Sequence, residues 1–199
     1  MNAQQSLSIK NQIGEGMKCS KWDPYPRSRF LPNEFLRGDN LRQALANAVD
    51  IDSSKFEDSI KVLSVLGYMG ILDKETWKTL CKDAGLKDNN LPVKTDILEK
   101  KWESSGSRTA DIQQFEMYQW YVCVPRFGAT QSAQTARGHH ESSSTSTESV
   151  TRKLDSSCIL PIIEKDGESR EGSFGSVDRI KIHHSHFVHS DGKTAVSRP

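Results

Sequence analysis

The apolar residues between positions 30 and 127 recur at intervals of three and four, which predicts a mainly α-helical domain of amphipathic helices. In the first of these helices Leu41, Leu45 and Val49 form one apolar stripe, and Asp39 stands where an N-terminal cap is expected. Several stripes of this kind can pack together and bury a small common core.

Further helices in this domain carry their own signals. Ser54 and Glu57 have capping-box spacing ahead of an apolar run that ends at two glycines. Asp73 is placed to cap a third helix. Residues 94–102 and the aromatic segment that begins near Ile112 predict two more helices, which would pack onto the first three.

The segments on either side lack helical periodicity. Residues 1–29 contain glycines and prolines without an apolar stripe, which predicts a mobile arm. Residues 128–156 shift to serine, threonine, glutamine and glycine, which predicts a disordered linker. Residues 157–199 hold two short apolar runs around a turn, which predict a β-hairpin separated from the helical part. The expected fold class is therefore a mainly α N-terminal domain, a disordered linker and a short β-hairpin.

The charge balance limits the classes of partner. With 27 basic and 26 acidic residues the formal net charge is +1, so there is no electrostatic case for a nucleic-acid or membrane partner. The opening residues lack the apolar core of a signal peptide, and no later segment approaches the ~18 apolar residues that a membrane span requires. We expect a soluble intracellular protein, cytoplasmic or nuclear.

Cysteine and histidine are the residue types that would indicate a metal site. The four cysteines are scattered without a C-x-x-C pair, so they are interpreted as reduced thiols. His183, His184, His186 and His189 lie close together, and in a strand His184 and His186 would share a face. Only Asp191 lies at ligand spacing from them, so a solvated histidine-rich strand end is favoured and no metal site is predicted.

One segment, EGSFGSVDRIKI, has the residue types and spacing of a defined site. Gly172 and Gly175 bracket Ser173 and Phe174, and Val177 follows two residues later. This spacing matches the second half of the glycine-rich loop of protein kinases, G-x-G-x-x-G-x-V. Such a loop is a tight turn between two strands, where missing side chains let backbone N–H groups approach the phosphates of ATP.

The chain resembles the N-terminal part of protein-kinase-like proteins of fungi. The matching parts follow one another in order: RFLP at 29–32, an aromatic QW segment at 119–125, a variable linker, an LP-containing strand at 160–161, the glycine-rich loop, and an R-I-K-I-H-like strand at 179–183. The resemblance implies that residues 157–199 are an incomplete kinase N-lobe. Its weak or vestigial ATP loop would consist of Gly172, Ser173, Phe174, Gly175 and Val177.

Two departures from the family pattern bear on activity. Arg170 replaces the first glycine of the loop, and the strand-three motif V-A-I-K aligns with residues 194–197, where Ser197 stands in the position of the phosphate-pairing lysine. The 199 residues contain neither H-R-D nor D-F-G, so no catalytic residue is assigned. The resemblance therefore implies a catalytically inactive kinase-like chain with weak ATP binding, no required cofactor, and a regulatory or interaction role toward a protein partner.

Two other hypotheses stay open. In the first, the chain is the N-terminal portion of an active ATP-dependent Ser/Thr kinase whose gene model is truncated. In the second, it is a small helical interaction module with a disordered tail and a chance glycine turn. An in-frame continuation of the transcript carrying H-R-D and D-F-G would distinguish the first hypothesis from the second.

Overall fold

The computed structural model of the chain describes residues 3–21, 29–102, 109–128, 154–165, 170–172, 175–177 and 179–188. Its α-helices are α1 (Ala3–Gly16), α2 (Asn33–Arg37), α3 (Asp39–Val49), α4 (Ile60–Met69), α5 (Lys74–Trp77), α6 (Thr95–Trp102) and α7 (Thr109–Tyr118). Its strands are β1 (Lys18–Cys19), β2 (Arg29–Phe30), β3 (Phe127–Gly128), β4 (Ile162–Lys165), β5 (Arg170–Gly172), β6 (Gly175–Val177), β7 (Ile180–Ile182) and β8 (Phe187–Val188). Short 3-10 helices span Ser53–Ser59, Asp88–Asn90, Gln119–Tyr121 and His184–His186, and a π-helical turn spans Lys78–Asp83.

The predicted mainly α N-terminal region is confirmed, since the helices α1–α7 precede position 128 in the part of the chain that the structure describes. Two small antiparallel sheets follow, β4 with β7 and β5 with β6. The predicted linker at residues 128–156 lies outside the described residues except for Gly128 and residues 154–156. Among the described residues, no helix combines the length and the apolar character needed to cross a membrane.

Helix α4 lies at the centre of the hydrophobic core. Val62, Leu63 and Leu66 are fully buried, and α1, α3 and α7 all pack against this helix. A helix that is apolar on every face is stable only when other elements surround it. Gly67 allows α1 to approach closely, because a Cβ atom at this position would lie 2.9 Å from Cγ2 of Ile9. Helix α4 therefore joins α1, α3 and α7 into one core.

The N-terminal segment differs from the predicted mobile arm. Residues 3–16 form α1, in which Ile9 and Ile13 are 5% and 1% exposed. Few positions on this helix are apolar, so its sequence lacks the broad stripe that indicates a helix. Most of the stability of a helix in a protein comes from tertiary packing, and here α4 supplies the apolar partner surface.

The helix ends follow the predicted signals only in part. Asp73 is confirmed as a cap, because its Oδ1 accepts a hydrogen bond of 2.8 Å from the backbone N–H three residues on. The prediction of Asp39 as a cap is wrong, since it is the first residue of α3 and Gly38 occupies the cap position. Ser54 is not the cap of the second helical segment either, because the carboxylate of Asp52 accepts from the Ser54 N–H at 2.9 Å.

The C-terminal strands contact the segments that flank the helices. Strand β3 pairs in parallel with β8, and the backbone N–H of Lys21 donates to the carbonyl of Ile162 at 2.7 Å. The hydroxyl of Ser20 also donates to the carbonyl of Leu160 at 2.7 Å. The structure thus differs from the predicted separated hairpin, because backbone groups of the C-terminal strands find partners in the segments that flank the helices.

Candidate functional site

The predicted glycine-rich loop is a β-hairpin in its described part. Strands β5 and β6 are antiparallel, and Gly172 pairs with Gly175 at the end of the ladder. Ser173 and Phe174, which connect the two glycines, lie outside the described residues. Val177 pairs with Arg170, which occupies the place of the first glycine in the kinase pattern. The register therefore sets two residues without side chains opposite each other at the end of the ladder.

The two antiparallel sheets are nested. Strand β5 follows β4 and β6 precedes β7, and Ile162 pairs with Ile182 while Lys165 pairs with Ile180. The pair β4–β7 therefore forms the base of a longer hairpin, and β5–β6 forms its tip. Residues 194–197, which the family resemblance aligns with the lysine-bearing strand, lie outside the described residues.

His186 anchors the turn between β7 and β8 to the helical region. The side chain is 1% exposed, the backbone N–H of Asn33 donates to its Nε2 at 3.3 Å, and its Nδ1 lies 3.2 Å from the carbonyl oxygen of Pro125. Burial lowers the pKa of His186 to about 4. A neutral ring that donates from Nδ1 to Pro125 and accepts at Nε2 satisfies both nitrogens. The ring also packs perpendicular to that of Phe30, so its role here is structural.

Glu34, His183 and His184 bring one carboxylate and two imidazoles together. Nε2 of His184 lies 2.5 Å from Oε2 of Glu34, and Nε2 of His183 lies 3.7 Å from Oε1 of the same carboxylate. The two histidine rings are stacked with their centroids 4.6 Å apart. One potential ligand atom from each of the three residues lies within 4.8 Å of the others. Burial, with a smaller effect of His184, lowers the pKa of His183 and favours its neutral form.

The histidines are arranged differently from the predicted strand. A strand would place His184 and His186 on one face, but the 3-10 helix His184–His186 turns His186 inward and leaves His183 and His184 beside Glu34. His189 and Asp191 lie outside the described residues. The sequence gives no signal for Glu34, since it is 150 residues away from His184 and belongs to an ordinary amphipathic helix.

An open cleft of about 740 Å³ lies beside this cluster. It is formed by the end of α1, by α2 and by the start of α3, and Glu34 belongs to its wall. Glu15, Lys18 and Asp39 also line it, together with the apolar ring of Phe35. Three carboxylates and one ammonium line the cleft, so its electrostatics disfavour an anionic organic ligand.

Comparisons with protein-family models, with curated proteins and with solved structures give no match.

Proposed function

We propose that this chain is part of a kinase-like protein in which a glycine-rich hairpin is held against a helical domain, and that its role is regulation or protein interaction. The main support for this proposal is the strand register, which places Gly172 opposite Gly175 with two residues between them. This arrangement agrees with the spacing of a kinase phosphate loop, which needs a strand, a short turn and a returning strand.

ATP binding by this hairpin is expected to be weak. A glycine-rich turn supplies backbone N–H donors, but each hydrogen bond to a charged phosphate replaces one to water and yields only about 1.5–3 kcal/mol. Ser197 stands where the family has a lysine, and a neutral hydroxyl does not offset the phosphate charge as an ammonium does. We therefore expect a dissociation constant above about 1 mM, which corresponds to roughly 4 kcal/mol of binding free energy.

Phosphate transfer by these 199 residues alone is not expected. The sequence contains neither the H-R-D nor the D-F-G motif, which in kinases supply the catalytic base and the magnesium ligands. Incubation with radiolabelled ATP and magnesium should give no incorporation into the chain or into a generic protein substrate above that of the variant Gly175→Pro. Incorporation clearly above this control would contradict the proposal of a non-catalytic role.

Nuclear magnetic resonance of the full chain tests the binding site directly. Titration with ATP and Mg²⁺ should shift the amide resonances of Gly172 and Gly175 without saturating below about 1 mM. The double variant Gly172→Ala and Gly175→Ala should lose these shifts. The control Gly14→Ala makes the same change in α1, where a Cβ atom meets nothing within 4 Å, and should leave them unchanged.

Three outcomes would contradict the proposed nucleotide contact. Saturation at micromolar ATP would show a complete binding site, equal shifts in the double variant would place the nucleotide elsewhere, and unperturbed hairpin amides would show that the glycines do not approach the phosphates.

A further inference from the structure

The turn between β7 and β8 brings together side chains that are far apart in the sequence. Glu34 is the second residue of α2, and His184 lies 150 residues further along the chain. We propose that Glu34, His183 and His184 form a binding site for a divalent transition metal of the zinc type. The site is independent of the glycine hairpin and of any nucleotide.

The two distances from the imidazoles to the oxygens of Glu34 bracket the ligand separation of a tetrahedral site. Zinc binds nitrogen and oxygen ligands at about 2.0–2.2 Å, so two ligand atoms of a tetrahedron lie about 3.3–3.5 Å apart. The nitrogen-to-oxygen distances of 2.5 Å for His184 and 3.7 Å for His183 lie on either side of this value. The side chain of Glu34 is 50% exposed and that of His184 is 33% exposed, so both can rotate slightly to equalise the distances. A metal ion would replace the ring proton that His184 shares with the carboxylate.

The orientation of His183 is fixed by its surroundings. Its Nδ1 lies 3.1 Å from the hydroxyl of Ser185, and Phe30 packs edge-on against the ring with the centroids 5.7 Å apart. Its side chain is only 7% exposed, and Nε2 is the nitrogen that faces Glu34. Histidine ligands in metal sites usually bond a partner through the other ring nitrogen, which holds the ring in place. In the metal-free chain Nδ1 of His183 accepts from the backbone N–H of Ser185 at 3.4 Å, so the ring proton lies on Nε2. A metal on Nε2 would require this proton to move to Nδ1, where the Ser185 hydroxyl 3.1 Å away can accept it.

The donor set selects the class of metal. Two imidazole nitrogens and one carboxylate suit Zn²⁺ and its neighbours among the transition metals, whereas Mg²⁺ and Ca²⁺ prefer oxygen ligands. Three protein ligands leave a fourth position for water or for an added ligand. Because the ligands come from α2 and from the turn before β8, the metal would bind only when these parts are in contact. Metal binding would therefore stabilise their contact by mass action.

Spectroscopy with Co²⁺ as the probe tests the coordination. The full chain, freed of metal with a chelator and without nucleotide, should develop the intense visible absorption of four-coordinate Co²⁺, and one equivalent of Zn²⁺ should abolish it. Calorimetric titration with Zn²⁺ should give one site per chain. At about 100 times the dissociation constant, Zn²⁺ should raise the melting temperature by several degrees.

Matched variants test the three residues. Glu34→Gln and His184→Asn each remove a ligand from a partly exposed position, and we expect Zn²⁺ binding at least about 100-fold weaker, since loss of an outer-shell partner alone costs about 10–100-fold. Glu15→Gln removes an exposed carboxylate from the same cleft without touching the ligand set, so it should keep wild-type affinity. In the presence of chelator, the urea midpoints of all three variants should agree with that of the wild type. This agreement would show that the variants are folded.

Three results would overturn the metal site. These are the lack of a four-coordinate signal in the wild type, unchanged Zn²⁺ affinity in both ligand variants, and an equal loss of affinity in Glu15→Gln. Any of them would leave the proposed nucleotide contact untouched, because no nucleotide enters the experiment.

Discussion

Gln119 is a buried amide whose removal should destabilise the helical region strongly. The residue is 1% exposed, its Oε1 accepts from the backbone N–H of Val93 at 2.7 Å, and its Nε2 donates to the carbonyls of Val93 at 2.9 Å and of Glu116 at 3.1 Å. These bonds tie the segment before α6 to the end of α7. Val93 is itself buried, so water cannot easily replace the amide.

The substitution Gln119→Met isolates the hydrogen bonds, because methionine has a similar length and volume and leaves no large cavity. It would leave the N–H and the C=O of Val93 buried without hydrogen-bond partners. Each buried polar group without a partner costs about 1–3 kcal/mol, so for these two groups we expect the free energy of unfolding to fall by roughly 2–6 kcal/mol. The third bond, to Glu116, adds less, since that carbonyl lies at a helix end.

Urea unfolding followed by circular dichroism measures this loss as a lower midpoint with an unchanged slope. The control Gln113→Met makes the same substitution at an exposed position of α7, where a surface change should alter stability by less than about 0.5 kcal/mol. Equal midpoints for the two variants would refute the reasoning, because they would show that the amide of Gln119 contributes no more than a surface side chain.

Two further predictions follow from the packing. Gly67→Ala should lower the free energy of unfolding, measured by urea, by about 1–3 kcal/mol despite the higher helix propensity of alanine, because the new Cβ would lie 2.9 Å from Ile9. Adding Ile9→Ala should relieve part of this loss rather than sum with it. Burial raises the pKa of Cys81 and of Cys123 from 9.0 to about 12, so iodoacetamide at pH 8 should modify exposed Cys19 first, as mass spectrometry can show. Since their folded-state pKa is raised, both thiols favour the fold most below about pH 9 and lose this contribution as the pH approaches 12. Additive losses in the first case, or equal labelling rates in the second, would contradict these predictions.

The amino-acid sequence determined the features that depend on near neighbours in the chain. The apolar stripe of Leu41, Leu45 and Val49 became the buried face of α3, and Asp73 caps α5 as its position predicts. Helices α6 and α7 also form where the pattern indicates them. These features are predictable because a helix is built from contacts three and four residues apart, and a cap acts on the first turn.

Only the tertiary structure decided the features that join distant segments. Helix α1 has too few apolar residues to be recognised, and it is stabilised because Gly67 lets Ile9 pack against α4. The cluster of Glu34 with His183 and His184 depends on the docking of the C-terminal turn, which no local pattern encodes. A side chain interacts with whatever the fold places beside it, so contacts across about 150 residues emerge only once the chain has folded.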